Sequence, residues 1–167
     1  NTIVEPDFYR MTVPGVTPHC SRIHIRDMAL DSDEAFERLL EGIRNEIGYA
    51  VERAMTLQPD YMVMGMSAET FWEGVEGNRR FKKQIQDQSG LDVATGAEAC
   101  ERILGKFNVK RIGVVTPYQP VGDKNVTRFF NELGFEVESV RGLKCPTAVA
   151  IAEVQEETLR QALIAVN

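Results

Sequence analysis

Apolar residues recur along this chain with two different periods, and the two take turns. After Asp31-Ser32-Asp33-Glu34, the residues Phe36, Leu39, Leu40, Ile43, Ile47, Val51 and Ala54 fall on one stripe. Spacings of three and four put such side chains on a common helix face. Thr70-Phe71-Trp72-Glu73 has the Thr-x-x-Glu form of a capping box, in which each side chain satisfies a free backbone N–H of the first turn. It predicts a helix running through Phe81 and Ile85 to Gly90. Thr95-Gly96-Ala97-Glu98 repeats the form ahead of Cys100, Ile103, Leu104 and Phe107. Two further helices are predicted, over 121–133 with Gly134 as the stop, and from Thr147 to the end of the chain.

Short, branched, apolar runs of strand length lie between these helices, at 21–25, 61–66, 111–116 and 135–140. Alternating strands and helices predict an α/β fold with parallel pairing and helices on the sheet faces. Residues 90–96 are the best boundary between two α/β units, giving a first half of 1–96 and a second of 97–167. There is no internal repeat, low-complexity tract or flexible linker. The sequence opens on Asn1-Thr2-Ile3, without an initiator Met or a signal-like apolar core, and stops inside a helical pattern. The expectation is a piece of a longer protein, with the second half incomplete.

Composition mainly excludes. Hydrophobic residues make 43% and charged residues 26% of the 167 positions, as in ordinary globular chains. A net charge of −6 without clustered Lys and Arg argues against a nucleic-acid partner. No apolar run approaches the roughly 18 residues of a membrane span. Three cysteines without paired short spacings fit neither a disulfide framework nor a zinc site, so a reduced, cytoplasmic setting is expected. No Gly-x-Gly-x-x-Gly, phosphate loop or metal-ligand spacing is present, and no nucleotide, metal or other cofactor is expected.

In open α/β sheets, ligands bind beyond the carboxyl ends of the strands, which selects two loops. Gly65-Met66-Ser67-Ala68-Glu69-Thr70 leaves an apolar strand and enters a capped helix, where free N–H groups suit an anion. Alternatively, Ser67 and Thr70 only cap that helix. Thr116-Pro117-Tyr118-Gln119-Pro120 holds a Tyr between two prolines that stiffen the loop. Its hydroxyl can face a ligand, or its ring can pack over the sheet edge. Cys100 lies on an apolar helical stripe and reads as core, as do Met62, Met64 and Met66 on one side of their strand. Cys20, beside His19, reads as structural. Cys145 sits between Lys144 and a helix start, a setting that can lower a thiol's pKa, although a plain buried or rim thiol fits equally. His24 takes the other face of the 21–25 strand from Ile23 and Ile25.

The order of these loops resembles the aspartate/glutamate racemase superfamily, and within it the maleate cis-trans isomerases and arylmalonate decarboxylases. Asn1-Thr2-Ile3-Val4-Glu5 is similar to the Asn-Thr-x-x-Glu segment after the family's first strand. Met64-Gly65-Met66-Ser67-Ala68-Glu69-Thr70-Phe71-Trp72-Glu73-Gly74 resembles its first active-site loop, and Arg111-Ile112-Gly113-Val114-Val115-Thr116-Pro117-Tyr118 the strand that delivers its substrate-binding Tyr. The resemblance implies two pseudo-symmetric, flavodoxin-like parallel-sheet halves around a small carboxylate substrate, with self-association left open. It implies catalysis by cysteine thiols without cofactor or metal, as an isomerase or decarboxylase. Carried over, Asn1, Ser67, Ala68 and Tyr118 would bind carboxylates. Met66 stands where the family's first thiol would be, and a Met cannot take or give a proton. The arylmalonate decarboxylases also lack that thiol and use only the second, which here would lie beyond Asn167. The alternative is a non-catalytic module that binds a small acid or serves regulation. A flavodoxin-like nucleotide-binding domain is disfavoured by the missing phosphate loop.

Overall fold

A computed structural model describes residues 4–167. Helix α1 (Val4–Arg10) leads into a long stretch without helix or strand and then helix α2 (Asp33–Met55). Ser32 caps α2, its hydroxyl accepting from the Ala35 N–H at 3.2 Å. The predicted stripe is the buried face: Phe36, Leu39, Leu40, Ile43, Ile47 and Val51. Strand β1 (Met62–Met64), a 3-10 turn (Ala68–Phe71), helix α3 (Gly74–Ser89) and strand β2 (Val93–Thr95) follow. β1 and β2 pair in parallel, Met62 beside Val93 and Met64 beside Thr95.

Helix α4 (Gly96–Lys106) opens as predicted, with Thr95 Oγ1 accepting from the Glu98 N–H. It leads to strand β3 (Arg111–Thr116), helix α5 (Pro120–Glu132) and strand β4 (Glu136–Gly142). β3 and β4 are also parallel, from Arg111 beside Glu136 to Thr116 beside Gly142. Helices α6 (Ala148–Ala152) and α7 (Glu156–Val166) complete the described chain. The fold is therefore α/β, two β-α-β units of flavodoxin-like parallel type.

The core lies where the helices of the two units meet. Phe71 of the 3-10 turn packs edge-on against Phe129 of α5 at 5.2 Å, and Phe130 lies 5.8 Å away. Phe36, Leu40 and Ile85 from the first unit are almost wholly buried with them.

Three sequence expectations need correction, and two elements went unread. Residues 21–25 form no strand: alternate side chains are half-buried, yet no described strand pairs with them. Ser21 Oγ instead donates to the Ala50 carbonyl of α2 at 2.7 Å. A strand exists only with a partner edge, which alternation cannot supply.

Thr70 and Glu73 form no capping box. Thr70 lies inside the 3-10 turn, and Glu73 is left-handed, with φ of 59°. Amides at the start of α3 are satisfied at the surface by side chains of α5: Asn125 Oδ1 accepts from Glu73 N–H at 2.9 Å, and Glu132 Oε2 from Val75 N–H at 2.7 Å. Tertiary partners took over the local cap.

The C-terminal helix is broken at 153–155. Gln155 is extended there and its side chain bonds back to the Glu153 carbonyl. The break lets α7 lie on the β3–β4 sheet, where Ser139 Oγ donates to the Val166 carbonyl at 3.0 Å. Finally, β2 falls within 90–96, read from sequence only as a boundary; three residues are too few to show a period. α1 was not predicted either, and it buries none of its side chains.

Candidate functional site

The two loops singled out meet at their hydroxyls. Ser67 Oγ, beyond β1, lies 2.8 Å from Tyr118 OH, beyond β3. Residues 51 positions apart in sequence thus form one polar pair. Tyr118 is only 7% exposed and its ring leans on Phe36 at 5.4 Å. Gly122 makes the space beneath it, since a Cβ there would sit 2.6 Å from Tyr118 Cβ. Burial pushes the phenol pKa up, with the Ser67 hydrogen bond opposing. The ring does pack, as one reading had it, while the hydroxyl is kept for Ser67.

The Tyr118 loop is held on three sides. Tyr118 N–H donates to Thr116 Oγ1 at 3.2 Å, and the Thr116 hydroxyl in turn donates to Asp123 on the first turn of α5. Burial pushes the Asp123 carboxyl up, opposed by that Thr116 bond and by Lys144. Past β4, Cys145 N–H donates to the Pro117 carbonyl at 3.0 Å and Leu143 N–H to the Thr116 carbonyl at 2.8 Å. From the start of α2, Asp33 Oδ1 accepts from Val121 N–H at 2.8 Å, and the Leu30 carbonyl accepts from the Gln119 amide.

On the β1 side, Ser67 does not cap with its side chain. Its carbonyl accepts the Thr70 hydroxyl at 2.6 Å, and Asn78 Nδ2 donates to the Thr70 carbonyl at 2.7 Å. Thr70 is fully buried by this arrangement. Ala68 is half-buried beside Ser67. Met66 is half-buried on the same side as Met62 and Met64, and its Sδ accepts the Glu69 N–H at 3.5 Å. Asn1 lies outside the described residues.

Three residues here went unread in the sequence. Glu69 is 7% exposed; its Oε1 accepts from Arg44 Nε at 2.6 Å, while its Oε2 is buried without a partner. Burial pushes its carboxyl up, and Arg44 opposes. Thr116 and Asp123 were passed over beside Tyr118. A buried acid in a small-residue loop was the available signal, masked by treating Thr70 and Glu73 as the cap.

The thiols differ in exposure, and Cys100 is near enough to Tyr118 to act on its hydroxyl. Cys20 is exposed, Cys100 half-buried and Cys145 buried. Burial pushes both Cys100 and Cys145 up rather than down, so the lowered pKa open to Cys145 is not found. His19 and His24 are exposed. Among the described residues, no group of three His, Cys, Asp or Glu is placed to hold a metal ion, and no helix is long and apolar enough to cross a membrane.

The sequence model of arylmalonate decarboxylase matches residues 25–166, most of the chain. The chain belongs to the arylmalonate decarboxylase family. A member-like relative, a maleate isomerase of Pseudomonas putida, is 28% identical over 145 residues, covering 81% of this chain and 54% of that protein. This chain thus spans about half the length of that curated relative. Among solved structures, a Nocardia farcinica maleate cis-trans isomerase variant with a covalently bound succinylcysteine intermediate matches with a TM-score of 0.83 and 20% identity, over 100% of this chain and 69% of that one. An arylmalonate decarboxylase matches with a TM-score of 0.64 and 18% identity, over 76% and 56% of the two chains. These likenesses establish the α/β fold of the arylmalonate decarboxylase family for both β-α-β units.

Proposed function

We propose that this chain holds the carboxylate site of a cofactor-independent isomerase or decarboxylase acting on a small dicarboxylic or 2-substituted acid. The observation that carries the reading is the pairing of Ser67 Oγ with Tyr118 OH at 2.8 Å. Two hydroxyls that satisfy each other in the free protein can both turn their protons to a carboxylate, which accepts at up to four lone-pair sites. The amide of Ala68 adjoins them, and Asn1 would complete the set. Residues 1–96 and 97–167 are the two halves on this reading, with the substrate between them.

A cysteine thiol would do the chemistry, in keeping with the succinylcysteine held by the Nocardia farcinica variant. Met66 supplies none, and burial disfavours the thiolates of Cys100 and Cys145. On the family resemblance the working thiol would be the second one, which would lie beyond Asn167. The same observation favours a second reading for the chain alone, a small-acid-binding module without turnover.

Malonate titrated into the chain tests the site. Tyr118→Phe removes one hydrogen bond to a charged group, worth about 1.5–3 kcal/mol, and is expected to weaken binding about tenfold or more. Ser67→Ala should do the same with the fold intact by circular dichroism. Unchanged affinity in both variants would overturn the assignment. Turnover of maleate or an arylmalonate by the chain alone would exclude the binding-only reading.

A further inference from the structure

The backbone amide of Tyr118 ends a polar chain that starts on helix α5. Tyr118 N–H donates to Thr116 Oγ1 at 3.2 Å, and the Thr116 hydroxyl gives its one proton to Asp123 Oδ1. A hydroxyl turns about its C–O bond until an acceptor fixes it. With its proton held by Asp123, Thr116 presents its lone pairs to the tyrosine amide. Thr116 is buried, so little water is at hand to replace either partner. Asp123 stands on the first turn of α5, where its own N–H bonds the Gln119 carbonyl at 3.2 Å. Its carboxyl reaches back from there to β3. Gly142, at the end of β4, makes the niche: a Cβ there would collide with the Asp123 carboxyl and stand 3.0 Å from the Tyr118 carbonyl oxygen. Around this carboxyl, Lys144 attracts and Asp33 repels. Burial pushes the Tyr118 phenol up, and Asp123 and Cys100 add to that against the Ser67 bond, so the hydroxyl keeps a proton to donate.

We propose that Asp123 is a positioning residue for the carboxylate site: through Thr116 it fixes the Tyr118 loop so that the phenol hydroxyl stands opposite Ser67. This rests on the reading that Ser67 and Tyr118 bind a carboxylate. An acid that served only the start of α5 would change the stability of the chain and leave ligand affinity alone. A brace that acts through Tyr118 matters to affinity only while Tyr118 has its hydroxyl.

The experiment is malonate binding to the whole chain by calorimetry at one neutral pH, with circular dichroism as the check of fold. Asp123→Ala removes the acceptor and is expected to bind about tenfold more weakly. Asp123→Asn keeps an oxygen for the Thr116 hydroxyl and removes a negative charge, so it should bind at least as tightly as the parent. In a Tyr118→Phe chain, Asp123→Ala should add less than about a twofold loss, because coupled residues do not lose affinity additively. Thr116→Val, close to isosteric, cuts the same link from its other end and should match Asp123→Ala; it carries the test where Asp123→Ala fails to fold. Parent-like binding by Asp123→Ala or Thr116→Val, an Asp123→Asn chain as weak as Asp123→Ala, or an undiminished loss in the Tyr118→Phe chain would each overturn the proposal. Malonate binding that ignores Ser67→Ala and Tyr118→Phe would instead overturn the carboxylate site, and this proposal with it.

Discussion

Met66 is the residue at which this chain departs most from the thiol chemistry that its resemblance implies. Its sulfur already accepts the Glu69 N–H at 3.5 Å, so the position presents sulfur to a backbone donor. A thiolate here is one bond nearer the backbone but still beside the N–H groups that open the 3-10 turn, and such donors lower a thiol's pKa. Met66→Cys is therefore expected to titrate below the usual thiol value of about 8.5, with the Glu69 charge compensated by Arg44. Alkylation rates against pH, taken on a background lacking Cys20, check this. A new thiol that titrates like free cysteine would assign Met66 to core packing alone. Thr116 matters differently: one hydroxyl donates to Asp123 and accepts from the Tyr118 amide, so a single small side chain aims the tyrosine.

At the scale of elements, two Thr-x-x-Glu motifs that look alike in sequence came to different ends. Thr95 caps α4 through the Glu98 N–H at 3.2 Å. Thr95→Ala should cost about 1 kcal/mol, the usual worth of such a cap, and lower the melting temperature by about 2–4 °C. Thr70 caps nothing; its hydroxyl bonds back to the Ser67 carbonyl at 2.6 Å. Thr70→Val, close to isosteric, should leave helix content unchanged and weaken malonate binding, because the Ser67 loop loses its brace. A fall in helicity equal to that of Thr95→Ala would mean that Thr70 acts as a cap after all. The α3 start depends instead on Asn125 and Glu132, both from α5.

Across the whole molecule, buried aromatic rings join residues on either side of position 96. Phe71 meets Phe129, and Phe36 meets Tyr118. Neither β-α-β unit closes a core alone, so the chain is expected to unfold in one cooperative step. Phe129→Ala, at a position 1% exposed, should cost about 3–5 kcal/mol and shift the whole transition. Fluorescence of Trp72, the one tryptophan, and far-ultraviolet circular dichroism should give coincident urea curves. Two separated transitions would mean that the halves fold independently.

Periodicity was enough for what depends on one segment burying one face. The α2 stripe, the Thr95 cap, β3 and α5 with its Gly134 stop all follow from short-range spacing, because a helix or a strand exposes its register in its own residues. The order of the two loops also carried the family resemblance and pointed to Ser67 and Tyr118. Long-range placement decided the rest. Whether 21–25 pairs depends on a neighbouring edge, and where α3 begins depends on side chains of α5. The Ser67–Tyr118 hydroxyl pair and the Arg44–Glu69 ion pair join residues 51 and 25 positions apart. Such meetings are set by how helices stack, and no local pattern of apolar and polar residues encodes the distance between two side chains on different elements.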